Sequence, residues 1–533
     1  MALGERAQDL SVWEILSRQA EGQPEAGFLL FDDHAHTYRQ VEEQSRALAA
    51  ALADLGVEEG DRVAVVLPGC PEFAVSFFAL ARLGAIAVPL NPRLTEAEFR
   101  YMLRHSEAVC AITVETLHGL DYLQLFEELL PNLPELQYLV TVGEEDLWYD
   151  DRIYQFEDLV SSGRGRELET PVPSADDQPL AIVYTSGTTG KPKGVELTQA
   201  NLVHVAAATV EAVGLRAEDR VIGMTALFHV FGLGPGLIGT AFAGATLILQ
   251  DEFDPAEALD LIQRHGATVH YGVPTVFLRE LREQRSRPRD LASLRVGLVA
   301  GGPMGRDSLA EVEEGLCPLM LTAYSMSEAS STIAITRRSD PAEKRHFTVG
   351  RPLEGTVVRV LHDDGTSLPV ESLGGLAVKG PGVMRGYYRQ PRETAQSFDP
   401  EGFLRTGDLG MVDEEGYVHL VGRRKDVIIR SGSNVYPQEV EDRLLAHPAV
   451  LETAVVGVPD EFLGEAIGAV VVPIEGAIVT AEEIRDWCRL TLTNHKVPDL
   501  VSFHDALPMT GTGKIRRVEL ARLIEADRAS PES

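Results

Sequence analysis

The sequence predicts an α/β protein of more than one domain: a large N-terminal domain with mixed and parallel sheets flanked by helices, and a small α+β C-terminal domain. Three observations carry this. The first third alternates helix and strand signals, the pattern of parallel strands joined by helical crossovers. At 533 residues the chain exceeds what one hydrophobic core supports. After Gly375 the character changes to short β-like runs separated by turns.

The elements follow in order. Thr37 and Gln40 form a capping box that opens a helix through about Leu55, closed by Gly56. Residues 61–68 (DRVAVVLP) read as a buried strand and 71–83 as a helix. Thr95 and Glu98 make a second capping box, followed by a short strand over 108–113. Residues 143–179, acidic and poor in pattern, read as surface loops leading into a strand at 180–184. Residues 221–249 carry no charge over 29 residues, longer than the ~20 that span a bilayer. Six glycines and Pro235 interrupt them, and GLGPG at 232–236 breaks a single helix, so buried strand, loop and helix is the expectation. Strands are expected at 376–379, 417–421 and 426–430, and helix–strand alternation resumes from Pro437. The domain division is placed at 1–422 and 423–533.

Composition bounds the function. Hydrophobic residues at 44% and charged residues at 24% are ordinary for a globular protein. The net charge of −33 lacks the basic face that nucleic-acid binding needs. Four scattered cysteines without a CxxC pair argue against a disulfide framework or a zinc site. The first 19 residues mix charge and show no apolar signal region, so the cytoplasm is the expected compartment. Only seven lysines occur, and four of them lie within 184–194, 422–441 and 509–514. There a compact ammonium offers what arginine does not.

The strongest local feature is YTSGTTGKPKG at 184–194, after an apolar run and before a helical pattern. Its glycines, among them Gly187 and Gly190, let backbone N–H groups turn inward. Thr185, Ser186, Thr188 and Thr189 add hydroxyl donors, and Lys191 adds a cation. Together they make a cradle for polyphosphate oxygens. The spacing is not that of a Walker A loop. A Gly/Ser/Thr loop by itself is also an ordinary polar loop; the eleven-residue string is far more specific.

That string resembles the phosphate-loop signature of the adenylate-forming superfamily: acyl-CoA synthetases, aryl-CoA ligases, firefly luciferase and peptide-synthetase adenylation domains. Further elements resemble the family's in the same order: AYSMSE at 323–328, RTGDL at 405–409, GRRKD at 422–426 and GTGK at 511–514. The overall pattern is most like bacterial-type fatty acyl-CoA ligases.

The resemblance implies roles. ATP is bound by the phosphate loop, Gly302, Tyr324, Ser327, Asp408, Arg423 and Lys514. Glu328 becomes a Mg²⁺ ligand; Tyr324 stacks on adenine, Ser327 contacts the α-phosphate and Asp408 accepts from the ribose hydroxyls. Ser325 stands where the family often has glycine, which narrows the acyl pocket. Lys514 bridges the carboxylate and the α-phosphate, so Lys514, Glu328 and Thr185 form the catalytic set. His229, Phe231, Gly232, Gly301 and Met326 bind the acyl group. Lys425 is the hinge of a mobile C-terminal domain, and Gly432 lines the CoA pantetheine tunnel once that domain has turned.

The implied activity is ATP-dependent ligation of a carboxylic acid to CoA through an acyl-adenylate, with Mg²⁺ as cofactor and ATP and CoA as substrates. A medium- or long-chain fatty acid is the favoured acid. An aryl-CoA ligase or a carrier-protein-charging enzyme is the alternative. A non-catalytic nucleotide-binding relative would be expected to have lost Lys514 or Glu328, and both are present. No nucleic acid and no membrane span are expected; peripheral membrane contact and the oligomeric state, a homodimer included, stay open.

Overall fold

The computed structural model describes residues 10–529 apart from 145–149, 167, 169, 175–177, 186–190, 224–225, 475 and 509–514. The chain folds into an α/β arrangement with a large N-terminal domain and a smaller C-terminal one.

Both capping boxes form. Thr37 caps the helix Tyr38–Asp54, Thr95 caps Glu96–Ser106, and Gly56 follows the first helix with a φ of 99°. The strand Arg62–Val66 and the helix Pro71–Leu83 bury nearly every residue, as expected of an element between two layers.

Two large sheets dominate. The eight-stranded sheet runs from Ile153–Gln155 through Tyr138–Val142, Cys110–Val114, Arg62–Val66 and Ile86–Pro89 to Pro179–Thr185, all parallel. It ends on two antiparallel strands, Lys193–Thr198 and Gly386–Tyr387. The nine-stranded sheet has a parallel centre that includes Val269–Gly272, Val296–Val299 and Met320–Met326, continued antiparallel by Ser331–Ile335. One apolar core joins the two sheets, and a second lies under the helices Pro255–His265, Pro274–Ser286 and Arg306–Gly315. A four-stranded antiparallel sheet, Val357–Leu361, Gly374–Lys379, Leu404–Val412 and Val418–Arg423, completes the large domain.

The small domain is built on the long hairpin Val450–Asp460 and Gly464–Pro473. Strand alternation sends Val455, Ile467, Ala469 and Val471 to one core. Val456, Val458, Val470 and Val472 face another, under the helix Arg517–Ala529. Arg282 of the large domain donates to the Val450 and Leu451 carbonyls at 3.3 Å, joining the domains.

Two sequence expectations need correction. Residues 143–179 are not only loops, for they contain the strand Ile153–Gln155 and the helix Phe156–Gly163. That helix buries Phe156, Leu159, Val160 and Gly163, and packs so closely that a Cβ at Gly163 would meet the Ala47 carbonyl oxygen at 2.0 Å. Residues 221–249 do not form one helix, as expected, but GLGPG at 232–236 lies inside the helical part instead of interrupting it. Gly232–Ile238 is a buried π-helical turn that accommodates Pro235 and runs into the helix Gly239–Ala243. The wider turn leaves room where proline has no N–H to give. No helix among the described residues is long and apolar enough to cross a membrane.

Candidate active site

Thr185, Gly301, Gly302, Ser327 and Glu328 gather at the C-terminal ends of strands in the two large sheets, where open α/β sheets hold ligands, while Asp408 and Arg423 come from the antiparallel sheet. Thr185 ends its strand, paired with Lys193. Gly301 and Gly302 follow Val296–Val299, and Ser327 and Glu328 follow Met320–Met326. Gly301 has a φ of 81°, and a Cβ there would stand 3.2 Å from Val273 Cγ1. Ser186, Gly187, Thr188, Thr189 and Gly190 lie outside the described residues, as does Lys514.

The exit of the phosphate loop is braced by aromatic rings. Tyr101 donates from its hydroxyl to the Pro192 carbonyl at 3.1 Å, and Lys191 Nζ stands 5.8 Å from its ring centre. Tyr184 donates to the Met102 carbonyl at 3.2 Å and lies 2.8 Å from His105 Nδ1. Lys193 Nζ sits over the Tyr387 ring at 4.5 Å.

Two carboxylates face this region. Glu328 Oε1 accepts from the Tyr387 hydroxyl at 2.9 Å, and its backbone carbonyl accepts from Met384 N–H at 2.8 Å. Asp408, 6% exposed, accepts from the Tyr324 hydroxyl at 2.6 Å on Oδ2 and pairs with Arg423 Nε at 3.1 Å on Oδ1. Each oxygen still has a lone pair for another donor. Burial raises the Asp408 carboxyl above its ordinary value; Arg423 and Tyr324 pull it down, while the charges of Glu328 and Asp426 push it up. The two carboxylates therefore sense each other, and the site favours incoming cations and donors.

The acyl candidates lie on neighbouring elements. Phe231 stacks on Tyr271 with centroids 5.8 Å apart, and Tyr271 is in register with Leu298, three residues before Gly301. His229 is half-buried against the Phe228 ring, and Met326 is half-buried at the end of its strand. Gly232 is a packing requirement: an added Cβ would stand 2.3 Å from the Ala226 carbonyl oxygen.

Lys425 is exposed in the short turn Arg424–Asp426, beyond the last strand of the four-stranded sheet. Gly432 is exposed with open space around it. With Ser431 it makes a two-residue hairpin turn between Ile428–Arg430 and Ser433–Val435, at φ values of 49° and 80°.

Sequence reasoning passed over Tyr387 and the Tyr101–His105–Tyr184 cluster. The tyrosine pair Tyr387–Tyr388 after Gly386 was the available signal, yet only the sheet edge places it against the loop.

Among the described residues no group of three or more His, Cys, Asp or Glu side chains is disposed to hold a metal. A single carboxylate such as Glu328, with one oxygen already fixed, fits Mg²⁺, which takes most of its shell from phosphates and water.

A family model described as AMP-binding enzyme matches residues 16–388, and one described as AMP-binding enzyme C-terminal domain matches 439–514. A putative acyl-CoA synthetase of Bacillus subtilis strain 168 is 34% identical, covering 96% of both chains. A feruloyl-CoA synthase of an Amycolatopsis species is 34% identical, over 97% of this chain and 99% of that one. The crystal structure of an anthranilate CoA ligase with anthranoyl-AMP superposes with a TM-score of 0.90 at 28% identity, over 98% of this chain and 99% of that one. The chain thus belongs to the AMP-binding, adenylate-forming enzymes, as an AMP-forming ligase that joins acyl or aryl acids to CoA.

Proposed function

We propose that the enzyme ligates an apolar carboxylic acid, foremost a medium- or long-chain fatty acid, to CoA. The observation that supports a ligase acting through a nucleotide is Glu328, tied through Tyr387 to the strand that leaves the phosphate loop, with the Asp408–Arg423 pair close enough for the two carboxylates to repel. The loop residues Thr185–Lys191 cradle the triphosphate, Asp408 and Arg423 hold the ribose, and Tyr324, Gly302 and Ser327 border the adenine and α-phosphate. Mg²⁺, held by Glu328, supplies charge neutralisation to the phosphates when bound. Lys514 draws the substrate carboxylate toward the α-phosphorus by offsetting the repulsion between two anions. The carboxylate oxygen attacks, pyrophosphate leaves, and the acyl-adenylate forms.

The domain from 423 onward then turns about Lys425, withdraws Lys514 and brings Gly432 up to the pantetheine chain. The CoA thiolate attacks the acyl carbonyl and AMP leaves. His229, Phe231, Gly232, Gly301 and Met326 line the acyl site. The reaction runs in the cytoplasm, where ATP and CoA are supplied.

An aryl acid is the second reading, favoured by the stacked wall of Phe231 on Tyr271 and by the feruloyl and anthranilate relatives. A panel of fatty acids from C6 to C18 with benzoate, cinnamate and ferulate, followed by CoA-dependent AMP formation, separates the two. Turnover confined to the aromatic acids overturns the fatty-acid reading. AMP release on a carrier protein but not on CoA overturns the acceptor.

A further inference from the structure

Tyr387 touches both halves of the nucleotide-binding apparatus. Its strand pairs Val195 with Tyr387, on the arm that leaves the phosphate loop, and the neighbouring Tyr388 N–H donates to the Gly194 carbonyl at 2.7 Å. Its own N–H donates to Thr394 Oγ1 at 2.9 Å, which fixes the backbone from the opposite side. From this anchored position the phenol reaches Glu328 Oε1 at 2.9 Å, while the ring face lies 4.5 Å under Lys193 Nζ.

The chemistry is asymmetric. A carboxylate on a freely turning side chain offers either oxygen to a cation, or both. A phenol that donates to Oε1 occupies one of its lone pairs, so Oε2 becomes the freer oxygen for a cation. A phenol keeps its proton across the neutral range, so it stays a donor there. The ring also stations the Lys193 ammonium at its face.

We propose that Tyr387 is a positioning residue that presents one oxygen of Glu328 to the divalent cation accompanying ATP. This rests on reading Glu328 as the carboxylate that holds that cation. It gives the strand Gly386–Tyr387 a part in the reaction beyond closing the sheet edge.

The test is Mn²⁺ titration of the full-length protein with ATP, read by electron paramagnetic resonance, on wild type, Tyr387→Phe and Glu328→Gln. Losing the hydroxyl is expected to weaken Mn²⁺ binding about 10-fold, the usual cost of removing a partner behind a metal ligand. Metal-free ATP binding and the melting temperature should stay at wild-type values, and excess Mg²⁺ should restore turnover. A merely structural hydroxyl would instead lower turnover at every Mg²⁺ concentration. Wild-type Mn²⁺ affinity in Tyr387→Phe, with weakened affinity in Glu328→Gln, overturns the positioning role. Wild-type affinity in Glu328→Gln overturns the metal reading itself. A lowered melting temperature in Tyr387→Phe also overturns the proposal.

Discussion

Asp408 and Glu328 of the large domain are tied down on several sides, whereas Lys425 and Gly432 stand in the open. Asp408 is buried between Tyr324 and Arg423, and Glu328 is held by Tyr387 through its side chain and by Met384 through its backbone. Lys425 and Gly432 are exposed, and nothing lies within 4 Å of a Cβ placed on Gly432. Groups that greet every substrate in the same geometry gain from fixed neighbours. Groups that serve one step and leave for the next gain from having few. The contrast predicts that damage to the first set spreads through binding, while damage to the second stays within one half-reaction.

The largest effect is expected for Lys514→Ala. Acid-dependent exchange of pyrophosphate into ATP should fall by at least about 100-fold, the scale on which a lost transition-state donor acts. ATP binding, measured calorimetrically, should persist. Unchanged exchange would remove the small domain from adenylation.

Asp408→Asn should come next, raising the KM for ATP by about 10-fold or more, as expected when a charged acceptor is lost. Its thermal stability at neutral pH should not fall. The folded carboxyl is raised above its unfolded value, so the folded state binds the extra proton and ionisation at neutral pH opposes folding. A neutral amide lifts that burden. A drop in melting temperature together with normal ATP affinity would make Asp408 a structural residue.

Gly432→Leu should leave pyrophosphate exchange near wild type and slow CoA-dependent AMP release by about 10-fold, the steric cost of overfilling a snug passage. Equal loss in both assays would show that the hairpin serves folding.

The smallest effect concerns the contact between the domains. Asp442, on the helix Pro437–Leu445, lies where a Cβ at Gly305 would stand 3.6 Å from its carboxyl carbon. Burial pushes its carboxyl up to about 6, helped by Glu441 and Glu439 and opposed by Gln438. Because the folded value is raised, stability should fall as pH climbs from about 4 through about 6 and level off above. Melting curves across that range should shift by a few degrees in wild type and flatten in Asp442→Asn. Parallel curves would sink the assignment.

What the sequence made legible was local chemistry. Thr37 with Gln40 and Thr95 with Glu98 announce helix starts because each box closes within one turn. The motif strings around Glu328 and Asp408 were readable as strings for the same reason. The helix Phe156–Gly163 was hidden by acidic surroundings, although Phe156, Leu159 and Val160 carry a helical period. Its glycine made sense only against Ala47, a partner more than a hundred residues away. Tyr387 was missed likewise: its hydroxyl meets a carboxylate 59 residues earlier, and no local rule connects them.

The π-helical turn at Gly232–Ile238 has a consequence for chain length. A π turn holds about one residue more than an α turn, so deleting a single residue here would tighten the turn and shift the segment that leads into it. Phe231 would leave the face of Tyr271. Point changes in this segment can leave that stack in place, but insertions and deletions would pull it apart, so natural or engineered variation here should run through substitution at constant length.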